Sequence, residues 1–273
     1  MGSGFRAEPI DSGIYQIWAP GGVSCFLAIG RSQALLMDTG YGLGDLRSFL
    51  GTLTDLPIVV VNSHGHIDHV GGNFHFEFAF LHPADFDLAR RHTQAEERAN
   101  ALGFLGISQS GYASFGSCPL RSLLPGQRFE LGDRIVDTLA CPGHTAGSVA
   151  LYDRQTGVLL AGDSFSRHVW LFDEDSTSIS EFLRSIRRAQ AIDPSAIYCS
   201  HSPERMQADF LERLALCALN ISFEKSRAFA VPLAGAEALI YAEGGELFVS
   251  PDFVSIVYSP KKLDTVPSIA GSA

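Results

Sequence analysis

Residues 58–69 read Ile58-Val59-Val60-Val61-Asn62-Ser63-His64-Gly65-His66-Ile67-Asp68-His69. The first four are β-branched and wholly apolar, the pattern of a short strand buried on both faces. That strand delivers the chain directly into an H-x-H-x-D-H cluster, with four strong metal ligands inside six residues. A strand end presents side chains from a rigid scaffold, and Gly65 permits a tight backbone path between two imidazoles. Imidazoles and a carboxylate without thiolates select zinc or iron over a structural cysteine site. With this composition the pattern arises by chance in roughly 6 of 10,000 such chains, so a metal loop outweighs an exposed polar turn.

Working outward, residues 14–18, 24–29 and 33–37 read as strands, the last ending at Asp38-Thr39-Gly40, and 43–54 as a helix. Residues 76–81 suit a strand and 83–102 a helix. The stretch 103–125, rich in Gly, Ser and aromatics, reads as a long irregular connection of the kind that lines binding sites. Further strands are expected at 135–140, 148–153, 158–160 and 196–199, helices at 180–191 and 203–223, and closing strands at 238–241, 247–249 and 254–258. Strands and helices mix throughout, which makes the class layered α/β or α+β. With no internal repeat or composition break, the reading is one domain over 10–262. It is flanked by a disordered or cloning-derived leader at 1–9 and a tail at 263–273.

Composition removes several function classes. Of 273 residues 46% are hydrophobic and 18% charged, against about 25% charged in a typical globular domain, which excludes disorder and a coiled coil. The net charge is −10 with only three lysines, Lys225, Lys261 and Lys262. No basic run is available for a phosphate backbone, so a small-molecule substrate is expected and nucleic acid is not. No apolar run approaches 18 residues, which argues against a membrane partner. The five cysteines are widely spaced without a C-x-x-C, pointing to buried thiols in a reducing cytoplasm. Nine histidines remain as the unusual feature.

Motifs further along the chain extend the first one. Gly71-Gly72-Asn73 follows the histidine cluster; Cys141-Pro142-Gly143-His144-Thr145-Ala146-Gly147-Ser148, Leu160-Ala161-Gly162-Asp163 and Ser200-His201-Ser202 come in order, with Asp38-Thr39-Gly40 upstream. This series resembles the metallo-beta-lactamase superfamily over about residues 10 to 260, in particular its glyoxalase II-like and lactonase-like hydrolases. The resemblance implies a four-layer αβ/βα sandwich with metals at one edge between the sheets. It implies that His64, His66 and His144 hold one ion, that Asp68, His69 and His201 hold a second, and that Asp163 bridges them. The implied cofactors are two divalent ions, zinc first, with iron or manganese as alternatives. A metal-bridging hydroxide would attack a small ester, lactone or thioester, with Asp68 as the catalytic carboxylate that orients it or shuttles its proton. The alternative within the resemblance is a mononuclear iron oxidoreductase of the persulfide dioxygenase type.

Around such a centre, Tyr112 and Phe115 on the long connection, and Arg167, His168 and Trp170 after Asp163, are expected to contact substrate. Phe104, Leu105, Phe165 and Phe172 would add to an apolar pocket for an acyl group, the same aromatics being able to serve a homodimer instead. Asp38 is expected to brace the metal loop by hydrogen bonds, and His75, His82 and His92 to lie at the surface or behind the ligands. Residues 224–273 read as strands, unlike the helical glutathione-binding part of glyoxalase II.

Overall fold

The computed structural model describes residues 4–107, 118–231, 237–250 and 252–263. Seven strands cross the first sheet in sequence order: β1 (Arg6–Asp11), β2 (Ile14–Trp18), β3 (Ser24–Ile29), β4 (Ala34–Met37), β5 (Ile58–Val61), β6 (Ala79–Leu81) and β7 (Leu120–Ser122). Pairing is antiparallel up to β4 and parallel from β4 onward. The second sheet contains β8 (Arg128–Glu130), β9 (Ile135–Ala140), β10 (Val149–Asp153), β11 (Val158–Leu160) and β13 (Ala196–Tyr198), ordered β13-β11-β10-β9-β8. A third, of four strands, runs β12 (His168–Leu171), β16 (Val254–Tyr258), β15 (Glu237–Glu243), β14 (Arg227–Ala230).

Period-two alternation builds the layers. In β4, Leu35 and Met37 face the second sheet, meeting Val149, Leu151, Val158 and Leu160 in one core. Ala34 and Leu36 face the other way, onto Leu46 and Leu50 of helix α1 (Leu46–Leu50). The second sheet repeats the device: Ala150, Leu159 and Ile197 turn outward onto α5 (Ile179–Gln190) and α6 (Asp209–Leu219). Helix α5 is amphipathic at the expected spacing, burying Phe182, Leu183, Ile186 and Ala189, and Ser178 caps it by accepting from the Glu181 N–H. Helix, sheet, sheet, helix is the αβ/βα sandwich expected from the sequence. The third sheet packs beside α6 through Tyr241, Val254, Ile256 and Tyr258.

Several elements differ from expectation. Arg6–Asp11 is a strand paired with β2, so order begins before residue 10. The helix expected over 83–102 is two, α3 (Phe86–His92) and α4 (Ala95–Phe104). They part at Thr93, whose hydroxyl donates to the Ala89 carbonyl while its own carbonyl accepts from Arg98. The helices expected over 43–54 and 203–223 shorten to α1 and α6. Residues 247–249 are not a strand but part of the β15–β16 connection, in which Gly244, Gly245 and Phe248 all take positive φ. The short β12 gains its strand character from a distant partner, β16, and β14 from its antiparallel neighbour β15. The strand reading of the C-terminal region holds. Among the described residues, no helix is long and apolar enough to cross a membrane.

Phe182 has no exposed surface and packs near Phe165, with ring centroids 6.5 Å apart. It also fills the space at Gly143, where an added Cβ would fall 2.5 Å from its ring. Phe182→Ala should lower unfolding free energy by about 3–5 kcal/mol, read from the denaturant midpoint at unchanged m-value. A loss below about 1 kcal/mol would show that the outer core is not packed in this way.

Candidate metal centre

Five strands end at one edge of the sandwich and each hands its next residues to the same point. Beyond β4 comes Asp38; beyond β5 come Ser63 to His69, including the one-turn helix α2 (Ile67–Val70). Beyond β9 lies His144, beyond β11 Asp163, and beyond β13 His201. Backbone bonds join the sheets here, Val149 N–H donating to the Ser63 carbonyl and Ser24 N–H to that of Ser200.

Seven side chains form two donor sets. His64, His66 and His144 make one, and Asp68, His69, Asp163 and His201 the other; within each, the candidate ligand atoms lie within 4.8 Å of one another. His66 Nδ1 is 2.9 Å from both His64 Nε2 and His144 Nε2. Asp163 Oδ2 lies between the sets, 3.8 Å from His144 Nε2, 3.5 Å from His69 Nε2 and 3.2 Å from His201 Nε2. Asp68 Oδ2 is 3.3 Å from the Nε2 atoms of both His69 and His201. The seven residues anticipated as ligands are thus brought together, in the two groupings the motifs implied.

Supporting groups fix which nitrogens face inward. Asp38 is fully buried, and its carboxylate accepts from the Ser63 N–H, the Ser63 hydroxyl and His69 Nδ1–H. Because the Ser63 hydroxyl has given its proton to Asp38, it accepts from His64 Nδ1–H at 2.9 Å. His144 Nδ1–H donates to the Trp170 carbonyl at 2.8 Å. In His64 and His144 the remaining Nε2 turns a lone pair toward the centre, and His69 Nε2 faces it as well. Burial first, then the neighbouring imidazoles, holds His64 and His66 well below the usual histidine range, which favours the neutral form a metal requires.

The second set has the opposite character. Burial opposes charge on His69, yet Asp68, Asp163 and Asp38 outweigh it and hold the ring well above its ordinary range. Burial raises Asp68 and Asp163, but the facing histidines overcome it and keep both ionised. Such a field attracts a cation. Two buried polar atoms, His69 Nε2 and Asp163 Oδ1, have no hydrogen-bond partner. Nitrogen lone pairs in one set and carboxylates with unpartnered atoms in the other fit divalent ions.

Asp85 was not anticipated from the sequence. It is 1% exposed, accepts from Gly65 N–H at 3.0 Å and Thr145 Oγ1–H at 2.6 Å through Oδ2, and from Gly147 N–H at 2.7 Å through Oδ1. One carboxylate therefore ties the loop of His64 and His66 to that of His144. Gly147 is required, since a Cβ there would lie 2.4 Å from Asp85 Oδ1. No local pattern marks this role, because its partners lie 20 to 62 residues away along the chain. Asn62, Asn73 and Thr39 form a second buried brace around the His69 carbonyl. Of the other histidines, His92 stacks on His66 at 5.1 Å and accepts from the Ile67 N–H.

A cavity of about 1040 Å3 opens above the centre, its floor made by His66, Asp68, His144, Asp163 and His201. Phe104, Leu105, His168, Trp170 and Phe172 are among its walls. Burial pushes His168 down to about 4, and its Nδ1 lies 2.7 Å from the Ser255 hydroxyl. Arg167 does not join the lining: its Nε pairs with Glu204 and its Nη1 meets the Phe253 carbonyl. Phe165 is also absent from the wall, being wholly buried beneath α5. Tyr112 and Phe115 lie outside the described residues.

The model of the metallo-beta-lactamase superfamily matches residues 18–201, well over half of the chain. The chain belongs to the metallo-beta-lactamase superfamily. Its relatives include the acyl-coenzyme A thioesterase MBLAC2 of Gallus gallus, 30% identical over 184 residues, covering 58% of this chain and 65% of that protein. The hydroxyacylglutathione hydrolase of Nostoc punctiforme is 28% identical over 180 residues, covering 63% of this chain and 60% of its own length. The chain therefore spans less than two thirds of either superfamily relative. A metallo-beta-lactamase from Pontibacter korlensis superposes with a TM-score of 0.59 at 17% identity, covering 80% of this chain and 100% of that one. That likeness is one of fold.

Asp85→Ala should weaken metal binding about 10- to 100-fold, as loss of supporting hydrogen bonds does at metal sites. A competitive chelator titration measures this directly. Unchanged affinity in a folded variant would mean the two loops hold their places without Asp85.

Proposed function

We propose that this superfamily member is a metal-dependent hydrolase of a small ester, lactone or thioester, working with two divalent ions at the centre described above. The observation that carries the reading is the position of Asp163 Oδ2, within 3.8 Å of nitrogens from both donor sets. A carboxylate so placed would serve two ions, with His64, His66 and His144 holding one and Asp68, His69 and His201 the other. When bound, such a pair lowers the pKa of a shared water to the neutral range and polarises the substrate's carbonyl. The two relatives, named for hydrolysis of an acyl-coenzyme A and a hydroxyacylglutathione, support the reaction class.

The chain's own groups divide the remaining work. Asp68, 15% exposed, reaches both the second donor set and the cavity floor. Its carboxylate orients the attacking water and then carries the proton toward the leaving group. Neutral His64 and His66 supply lone pairs without bringing charge of their own, and His144 Nε2 faces the same point. Phe104 and Leu105 hold an apolar acyl group against the wall and reduce the water around the scissile bond. No serine or cysteine nucleophile is needed. The described cysteines close to the centre are buried and their thiols pushed up by burial: Cys141 and Cys199 to about 12, Cys25 above that.

Metal analysis of the purified protein should give near two divalent ions per chain, with zinc expected first and iron or manganese as the alternatives. Hydrolysis of a thioester and lactone panel should vanish on chelation and return on metal addition. Asp163→Asn should cost at least about 100-fold in kcat/KM and lower the stoichiometry. One iron per chain, oxygen uptake on a persulfide and no hydrolysis would replace this reading with an iron oxidoreductase.

A further inference from the structure

The cavity wall carries an unusual charge for a site whose named relatives act on anionic thioesters. Glu97, Asp173, Glu174 and Asp175 line it, against a single guanidinium, Arg91. Arg91 is already engaged, its Nη2 lying 2.8 and 2.9 Å from the two carboxylate oxygens of Asp175. Glu97, Asp173 and Glu174 have no ion-pair partner among the described residues. Lys262 approaches this loop from behind, donating to the backbone carbonyls of Glu174 and Ser176. Burial above all raises the Asp173 carboxyl; Asp175 adds to the rise, and His144, His92 and Lys262 oppose it. The residues outside the described ranges include no Lys, Arg or His side chain, so they cannot reverse the balance.

A second observation concerns the surface beside those carboxylates. Trp170 and Phe172 line the same wall, with ring centroids 5.3 Å apart and planes tilted by 53°. Aromatic faces beside carboxylates recognise ammonium and quaternary ammonium groups, by the ring quadrupole and by direct Coulomb attraction. The floor, made by His66, Asp68, His144, Asp163 and His201 of the two donor sets, is the reacting end. Metal ions would offset the floor carboxylates Asp68 and Asp163, but not those of the wall.

We propose that this cavity takes an ester or thioester bearing a cationic group, an ammonium or quaternary ammonium, in preference to neutral or anionic carriers. The proposal rests on the hydrolase reading above and specifies its substrate class. The reaction is unchanged: water adds to the carbonyl, the C–S or C–O bond breaks, and the thiol or alcohol leaves with a proton beside a carboxylic acid. Diffusional encounter with a cation would be steered by the wall, and that steering would fade with salt.

The test uses three thioesters of one acyl group: butyrylthiocholine, S-butyryl-N-acetylcysteamine and butyryl-coenzyme A. With metal-loaded protein at about 20 mM salt, kcat/KM should fall in that order, the first exceeding the last by at least about 10-fold. At about 0.5 M salt the spread should shrink several-fold. Glu174→Lys, at an exposed position outside the ligand set, should narrow the low-salt spread in the same direction. In parallel, calorimetry with the product thiols thiocholine, N-acetylcysteamine and coenzyme A reads affinity without turnover and should give the same order. Hydrolysis without that order, or with the neutral or anionic ester preferred at low salt, overturns the charge preference and leaves the hydrolase reading standing. Thiols bound in the stated order with no ester cleaved would support the preference and sink the hydrolase reading.

Discussion

A fully buried carboxylate must find donors for its oxygens or it destabilises the fold by several kcal/mol. Asp38 finds three, all from the metal loop: the Ser63 N–H, the Ser63 hydroxyl and His69 Nδ1–H. It does so from a left-handed backbone position, φ 66°, which aspartate tolerates better than most residues. Through Ser63 it sets the tautomer of His64 in the first donor set, and directly it sets that of His69 in the second. Neighbouring Gly162, at φ 54°, leaves room for this arrangement, since a Cβ there would fall 2.6 Å from Ser63 Cβ. The inward orientation of His64 and His69 follows from satisfying one acid.

Asp85 plays the complementary part. Where Asp38 fixes ring orientation within one loop, Asp85 fixes the separation between two, holding Gly65 on one side and Thr145 and Gly147 on the other. Neither needs to touch the substrate. Together they explain how loops at strand ends, ordinarily the more mobile parts of a fold, can present seven ligands in a defined arrangement. Apolar cores on both faces of each central sheet supply the rigid base beneath them.

What was legible in the sequence had a local cause. The β-branched run at 58–61, the helical spacing of Phe182, Leu183, Ile186 and Ala189, and the histidine cluster each carry their meaning within a dozen residues. The ligands His144, Asp163 and His201 are far apart in the chain and were reached through the motif series. Short strands whose form comes from pairing were missed: β12 needs β16, far along the chain, while β14 and the edge strand β1 need their antiparallel neighbours β15 and β2. Arg167 and Phe165 show the same limit at the site. Proximity to Asp163 in sequence suggested pocket contacts, but Glu204 engages the first and the packing beneath α5 buries the second.

The His144 ring is oriented by the carbonyl of Trp170, and Trp170 belongs to β12, whose partner is β16 at residues 254–258. This makes the order of synthesis matter. The chain emerges from the ribosome N-terminus first, so all seven ligands are present once His201 has appeared, yet the strand that steadies one of them still lacks its neighbour. A nascent chain halted between those points would hold every donor atom with His144 less firmly aimed. The aim of His144 therefore depends on a strand that lies beyond the last of the seven ligands along the chain.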